Sequence, residues 1–83
     1  MPSPARTALQ IGAIIHRERR ARGLTQAQLG AKVGRRQATI SKLEKGEPAT
    51  QLSTLFDVLS ALGLELVIGE RSKTSKADIE RIF

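Results

Sequence analysis

Residues 34–46, GRRQATISKLEKG, gather the side chains of this sequence best suited to reading another molecule. The guanidinium of Arg36 can donate a pair of hydrogen bonds to guanine O6 and N7, and the amide of Gln37 matches adenine N6 and N7. Ala38 can rest its methyl on a thymine methyl, and Ser41, one turn after Gln37, can reach a base or a phosphate. Each good bidentate pair is worth about 1–3 kcal/mol of discrimination against the wrong base. Thr39, Lys42 and Lys45 suit phosphate oxygens, which position a protein on a duplex but carry no sequence information. Gln26, where a preceding helix would begin, can do the same through its side chain and the free backbone N–H groups there.

Catalytic chemistry lacks its parts. His16 is the only histidine and cysteine is absent, so a metal cluster, a nucleophile–base pair and a disulfide framework all fail for want of residues. No Gly-x-Gly pattern offers a nucleotide-phosphate cradle. Glu44 and Glu47 are the only close carboxylates near the basic half, and they flank a helix end; Glu44 reads as the structural partner of a nearby arginine. His16 reads as the end of an apolar stripe or a surface residue. The expectation is no enzyme, no cofactor and no metal.

Composition agrees with a polyanion partner. The chain has 83 residues, room for one small domain, and its net charge of +6 is unevenly spread. Residues 1–46 hold ten Lys/Arg against two acids, a net +8, while residues 47–83 hold four against six, a net −2. A charge excess serving solubility alone has no reason to segregate. Within the basic half, Arg17, Arg19, Arg20 and Arg22 form either a solvated face or a set of phosphate contacts. Single-stranded RNA readers usually offer stacking aromatics, and that half has none; Phe56 and Phe83 supply the whole 2%. The apolar stretch ALQIGAII is eight residues long, against the roughly 20 that span a bilayer. No small-residue cleavage pattern follows it, and a cysteine-free chain fits a reducing cytosol, so a cytoplasmic protein is expected.

An all-α bundle of four to five helices, with one C-terminal strand, must position these residues. Residues 1–6 read as a flexible arm, residues 7–70 as the domain and residues 71–83 as a tail. A first helix runs from about Thr7 to Arg22 with Ile11, Ile14 and Ile15 on its apolar stripe. Thr25 and Gln28 form a capping box for a second helix over residues 26–33, whose inner face carries Leu29 and Val33. After Gly34 the third helix continues to about Lys45, with Ile40 and Leu43 sharing a face. A fourth spans about Leu52 to Leu62, with Leu55, Phe56, Leu59 and Leu62 apolar, and Gly63 closes it. LELVI then alternates and is β-branched, predicting a strand over residues 64–69; the alternative is that it extends the last helix. TSKADIERIF is a short candidate fifth helix placing Ile79, Ile82 and Phe83 on one face.

Two short helices meeting at Gly34 satisfy the demands of a helix-turn-helix. Gly30 supplies the small residue where the helices nearly touch, Gly34 the turn, four apolar residues the anchors, and Arg36 and Gln37 the leading donors. TQAQLGAKVGRRQATISKLEKG resembles the helix-turn-helix of the phage-repressor, or XRE, class of bacterial regulators, over about residues 8–63. Gln26 and Gln37 fall eleven apart as two glutamines do in that class, and Gly30, Gly34, Ile40, Leu43, Glu44 and Gly46 occupy its expected slots. Two positions depart from the pattern. Arg35 stands where an apolar residue is usual: either its stem packs and its head reaches a phosphate, or the turn is looser. Gly30 replaces a common alanine, at up to about 1 kcal/mol of helix propensity.

The longer run RRQATISKLEKGEPATQLSTLFDVLSALGLELVIGE is similar to HipB-type antitoxins. That resemblance implies a four-helix DNA-binding core ending in one strand, formed by Leu64, Leu66, Val67 and Ile68, that pairs with the same strand of a second copy. It also implies repression of the protein's own operon and a complex with a HipA-type toxin kinase. Physical reasoning points the same way, because a lone strand leaves backbone donors and acceptors without partners. Pairing about a two-fold axis satisfies both copies and sets two reading helices about 34 Å apart, the spacing of an inverted-repeat operator. Ile79, Ile82 and Phe83 of the tail are the candidate toxin contact. A stand-alone regulator of the same class, without a toxin partner, is the alternative.

Overall fold

Thr7 opens the first helix by accepting a hydrogen bond from the backbone N–H of Gln10, 3.1 Å away, and the chain runs helical from there to Ala21. The computed structural model describes residues 3–71, and within them four helices follow in order. They are α1 (Ala8–Ala21), α2 (Gln26–Val33), α3 (Gln37–Glu44) and α4 (Leu52–Ala61). The expected capping box is formed: Thr25 Oγ1 accepts from Gln28 N while Gln28 Oε1 accepts from Thr25 N. The candidate fifth helix lies outside the described residues.

α3 packs against α1 and α2, and α4 packs against α2. One core results, built from Ile15, Leu29, Ile40, Leu43, Leu55, Val58, Leu59 and Leu62, with Ile11, Leu24, Val33 and Leu64 against its edge. In α4 the buried stripe is Leu55, Val58, Leu59 and Leu62, a clean i, i+3, i+4, i+7 pattern. Phe56, expected on that stripe, is 48% exposed because it lies 100° around the helix from Leu55, beyond the stripe's edge. Glycine permits the closest approach of backbones. A Cβ on Gly12 of α1 would stand 2.5 Å from the carbonyl oxygen of Leu43 in α3, so those helices meet backbone to side-chain-less backbone.

The arm is less loose than its two prolines suggest. Within residues 3–6, Ser3 Oγ accepts from Arg17 Nη2 at 2.9 Å, and the Arg6 N–H donates to Gln10 Oε1. At the other end, α4 closes at Leu62; Gly63 adopts φ +71°, and the Leu64 N–H returns to the Leu59 carbonyl at 2.8 Å. LELVI therefore does not extend the helix. Nor does it form the expected strand among the described residues, since a strand is defined by a ladder to a neighbour and this single chain offers none. Leu64 is tucked against the core, but Leu66, Val67 and Ile68 are exposed, Ile68 at 92%. Between this segment, the arm and α1 lies an open cleft of about 830 Å³, floored by Ile11, Ile14, Leu55 and Leu59.

Candidate nucleic-acid interface

Three residues separate α2 from α3, and their geometry is tightly specified. Gly34 takes the left-handed conformation at φ 66°, and the Arg35 N–H reaches back to the Gly30 carbonyl at 2.9 Å, closing the end of α2. The turn also folds over Gly30: a Cβ there would be 2.7 Å from the Arg35 carbonyl oxygen. The glycine that costs helix propensity is thus what lets the turn sit against α2. Arg36 then caps α3 in extended conformation without giving it a side-chain bond, leaving the leading N–H groups of the helix uncapped.

α3 divides into two faces. Ile40, Leu43 and Glu44 are buried, whereas Gln37, Ala38, Lys42 and Lys45 are exposed and Ser41 and Thr39 half-buried. At 100° per residue, Gln37, Ser41, Lys45, Ala38 and Lys42 fall in that order across one continuous outward strip of about 140°. Thr39 sits at its margin, toward Leu43. The structure therefore brings Gln37, Ala38 and Ser41, expected at base edges, together with Lys42 and Lys45 on one surface, and leaves Arg36 exposed just before the helix as its N-cap. Gln26 is half-buried at the start of α2, its Nε2 donating to Glu44 Oε1 at 3.2 Å. Its backbone N–H stands at the opening of that helix.

Arg35 is placed differently from the phosphate role expected of it. Its guanidinium turns toward α4, bonding Asp57 Oδ2 at 3.2 Å, Thr54 Oγ1 at 3.3 Å and the Val33 carbonyl at 3.3 Å. The usual apolar anchor at this position is replaced by a polar clamp. The head of Arg35 is held within the chain.

Glu44 anchors the whole unit from below. Its carboxylate accepts from Arg19 at 2.6 and 3.1 Å, from Gln26, and from His16 Nδ1 at 2.8 Å, linking α1, α2 and α3. Its side chain is only 3% exposed and that of Arg19 8%. Burial works to raise the Glu44 pKa, but the hydrogen bonds from Arg19, His16 and Gln26 outweigh it and hold the group below its ordinary value of 4.5. The expected role of Glu44 as an arginine's structural partner is met. Sequence reasoning did not single out Arg19, one of four closely spaced arginines; the pairing spans 25 residues, and only a recognised fold could have signalled it.

The arginine run is largely consumed inside the chain. Arg19 is buried on Glu44, Arg22 bonds Glu18 one turn earlier at 3.0 Å, and Arg17 reaches Ser3 and Glu18. By contrast, the side chains of Arg36, Lys42 and Lys45 form no ion pair or hydrogen bond among the described residues. Arg6, Arg20, Lys32 and Arg71 are likewise exposed without such a partner among the described residues, so the α3 cations are part of a wider uncommitted set. Among the described residues no helix is long and apolar enough to cross a membrane.

Residues 15–68 match the Helix-turn-helix family HTH_3. Over 63 residues the chain is 35% identical to the antitoxin HipB of Escherichia coli, covering 76% of this chain and 72% of that one. Among solved structures, a HipB–O4 20mer complex aligns with a TM-score of 0.80 at 30% identity, over 86% of this chain and 100% of that chain. A HipA–HipB–O2–O3 complex aligns with a TM-score of 0.79 at the same identity and coverage. The likeness that the turn and its flanking helices suggest in the sequence thus extends to the whole described fold.

Proposed function

Since the chain belongs to the HTH_3 helix-turn-helix family and, within it, to the HipB antitoxins, we propose that it is a transcriptional repressor that binds an inverted-repeat DNA operator as a homodimer and holds a HipA-type kinase toxin. The observation that carries the DNA reading is the outward strip of α3, lined by Gln37, Ala38, Ser41, Lys42 and Lys45, with Arg36 at its entry. A helix face of this kind can enter a major groove, and its side-chain donors form no hydrogen bond among the described residues. In this reading Arg36, Gln37, Ala38 and Ser41 meet base edges, while Lys42, Lys45, Thr39 and Gln26 meet phosphates. Arg35 acts from behind, holding the start of α3 against α4.

The dimer reading is supported by the exposed Leu66, Val67 and Ile68, whose backbone has no ladder within one chain, beside a cleft with an apolar floor. A second copy's strand satisfies that backbone and covers those side chains. The toxin reading is supported by the likeness to HipB, which is solved together with HipA. Ile79, Ile82 and Phe83, outside the described residues, are the tail contact proposed for the kinase. The protein acts in the bacterial cytoplasm and by binding alone, without catalysis.

Footprinting on the DNA that precedes its own gene tests the proposal. Protection of two symmetry-related half-sites one helical turn apart is the expected result. Uniform protection, appearing only at concentrations that also protect unrelated DNA, would contradict it.

A further inference from the structure

His16 stands where three helices meet, and its chemistry is not used by the account above. It leaves α1 with Nδ1 2.8 Å from Glu44 Oε1 of α3, the same oxygen that accepts from Gln26 at the head of α2. The imidazole is 47% exposed above a carboxylate that is nearly sealed, so one ring nitrogen is held inward while the ring itself lies at the rim. Its neighbour across that oxygen, Gln26, is the residue assigned to a phosphate. The charged groups touching the ring are Glu44 from α3 and Arg19 from its own helix; α2 contributes only the neutral Gln26 amide.

Hydrogen-bond bookkeeping determines which nitrogen carries the proton. Glu44 is ionised and can only accept, so Nδ1 must be the donor. Arg19 Nη2, 3.3 Å from Nδ1, is then a neighbouring donor, and its own bond goes to Glu44 Oε1 at 3.1 Å. With Nδ1–H committed, the neutral ring offers a lone pair at Nε2, which repels a phosphate oxygen. Protonation replaces that lone pair with an N–H and adds a positive charge.

Resting on the DNA-binding reading, we propose that His16 is a proton-gated phosphate contact, so that the protein grips DNA more tightly as pH falls. The sign follows from linkage: a phosphate beside the ring favours the imidazolium, so the complex holds the proton more tightly than the free protein. The added affinity is present at low pH and is lost as pH rises. His16 is the only histidine in the chain, which makes the response assignable. Glu44, held below its ordinary value, stays ionised between about pH 5 and pH 8.

The experiment is a titration of the full chain against a labelled duplex of arbitrary sequence, three helical turns long, at several pH values and salt concentrations. A phosphate contact needs no operator. Between about pH 8 and pH 5 the wild type should gain affinity by up to about tenfold for each chain of the dimer, and its log–log salt slope should steepen by about 0.9 per chain. His16→Gln, whose amide can still donate to Glu44, should bind with the high-pH affinity throughout. His16→Lys should keep the low-pH affinity at both ends. A flat wild-type profile, or a pH response that survives in His16→Gln, would overturn the proposal. So would a response with no change in salt slope, which would mark a purely structural effect of the proton on the Glu44 cluster. Wild-type protein that bound no DNA at any pH would overturn the DNA reading itself.

Discussion

At the scale of single residues, Glu44 is the hinge on which the interface rests. Removing it leaves the Arg19 guanidinium buried and unpaired, so Glu44→Ala should cost about 3–5 kcal/mol, read as a lower urea midpoint at unchanged slope. Acid should do the same progressively. Because the folded state holds the Glu44 pKa below 4.5, its contribution is complete above that value and is lost as pH falls through the lower, folded one. Thermal midpoints should therefore begin to drop below about pH 4.5 in the wild type, by more than in Glu44→Gln. On the outward side of the same helix, Gln37→Ala should lose about 1–3 kcal/mol at one base position in each half-site. Lys42→Ala should instead weaken binding to all sequences alike and reduce the salt slope by about 0.9 for each half-site, a contrast measurable on a panel of single-base operator variants. The outward residues were legible in the sequence because an exposed face shows its chemistry in its residue types. The inward cluster was legible only on one side. Glu44 is an isolated acid in a basic half, whereas Arg19 is hidden among like neighbours whose separate fates, toward Glu44, Glu18 and Ser3, are decided by tertiary packing.

At the scale of elements, the unit that presents α3 is set by close backbone contact more than by side-chain volume. Gly30→Ala should gain about 1 kcal/mol of helix propensity, yet its Cβ would meet the Arg35 carbonyl oxygen at 2.7 Å. Overpacking of this kind costs about 1–3 kcal/mol, so the variant should unfold at lower denaturant than wild type and bind DNA less tightly. A more stable Gly30→Ala would mean the turn relaxes freely. Helix starts and stops were readable from Thr7, from the Thr25–Gln28 box and from the glycines that follow each helix, because these signals are local. The inner face of α4 was misread at Phe56, since counting apolar residues favoured the larger side chain over Val58. The start of α3 differs as well: Arg35 departs from its usual apolar type, and the aspartate and threonine that clamp it lie 22 and 19 residues away.

At the scale of the whole molecule, the proposed dimer makes one chain half of a DNA-reading unit. Residues 64–69 form no ladder in the single described chain, and the strand expected there needs a neighbouring strand to pair with. Leu66→Pro should remove a ladder donor and yield a monomer by sedimentation, with DNA affinity reduced to that of one reading helix; a persistent dimer would place the interface elsewhere. Deleting residues 72–83 should leave DNA binding intact and weaken binding to the kinase, whereas loss of DNA binding would assign the tail to the domain itself. Neither variant tests whether paired α3 helices read base sequence. Selection of binding sites from random duplex DNA at near-physiological salt does so directly. The account predicts enrichment of an inverted repeat whose half-sites lie one helical turn apart. Salt-sensitive binding with no enriched sequence would contradict it, reducing α3 to an electrostatic footprint.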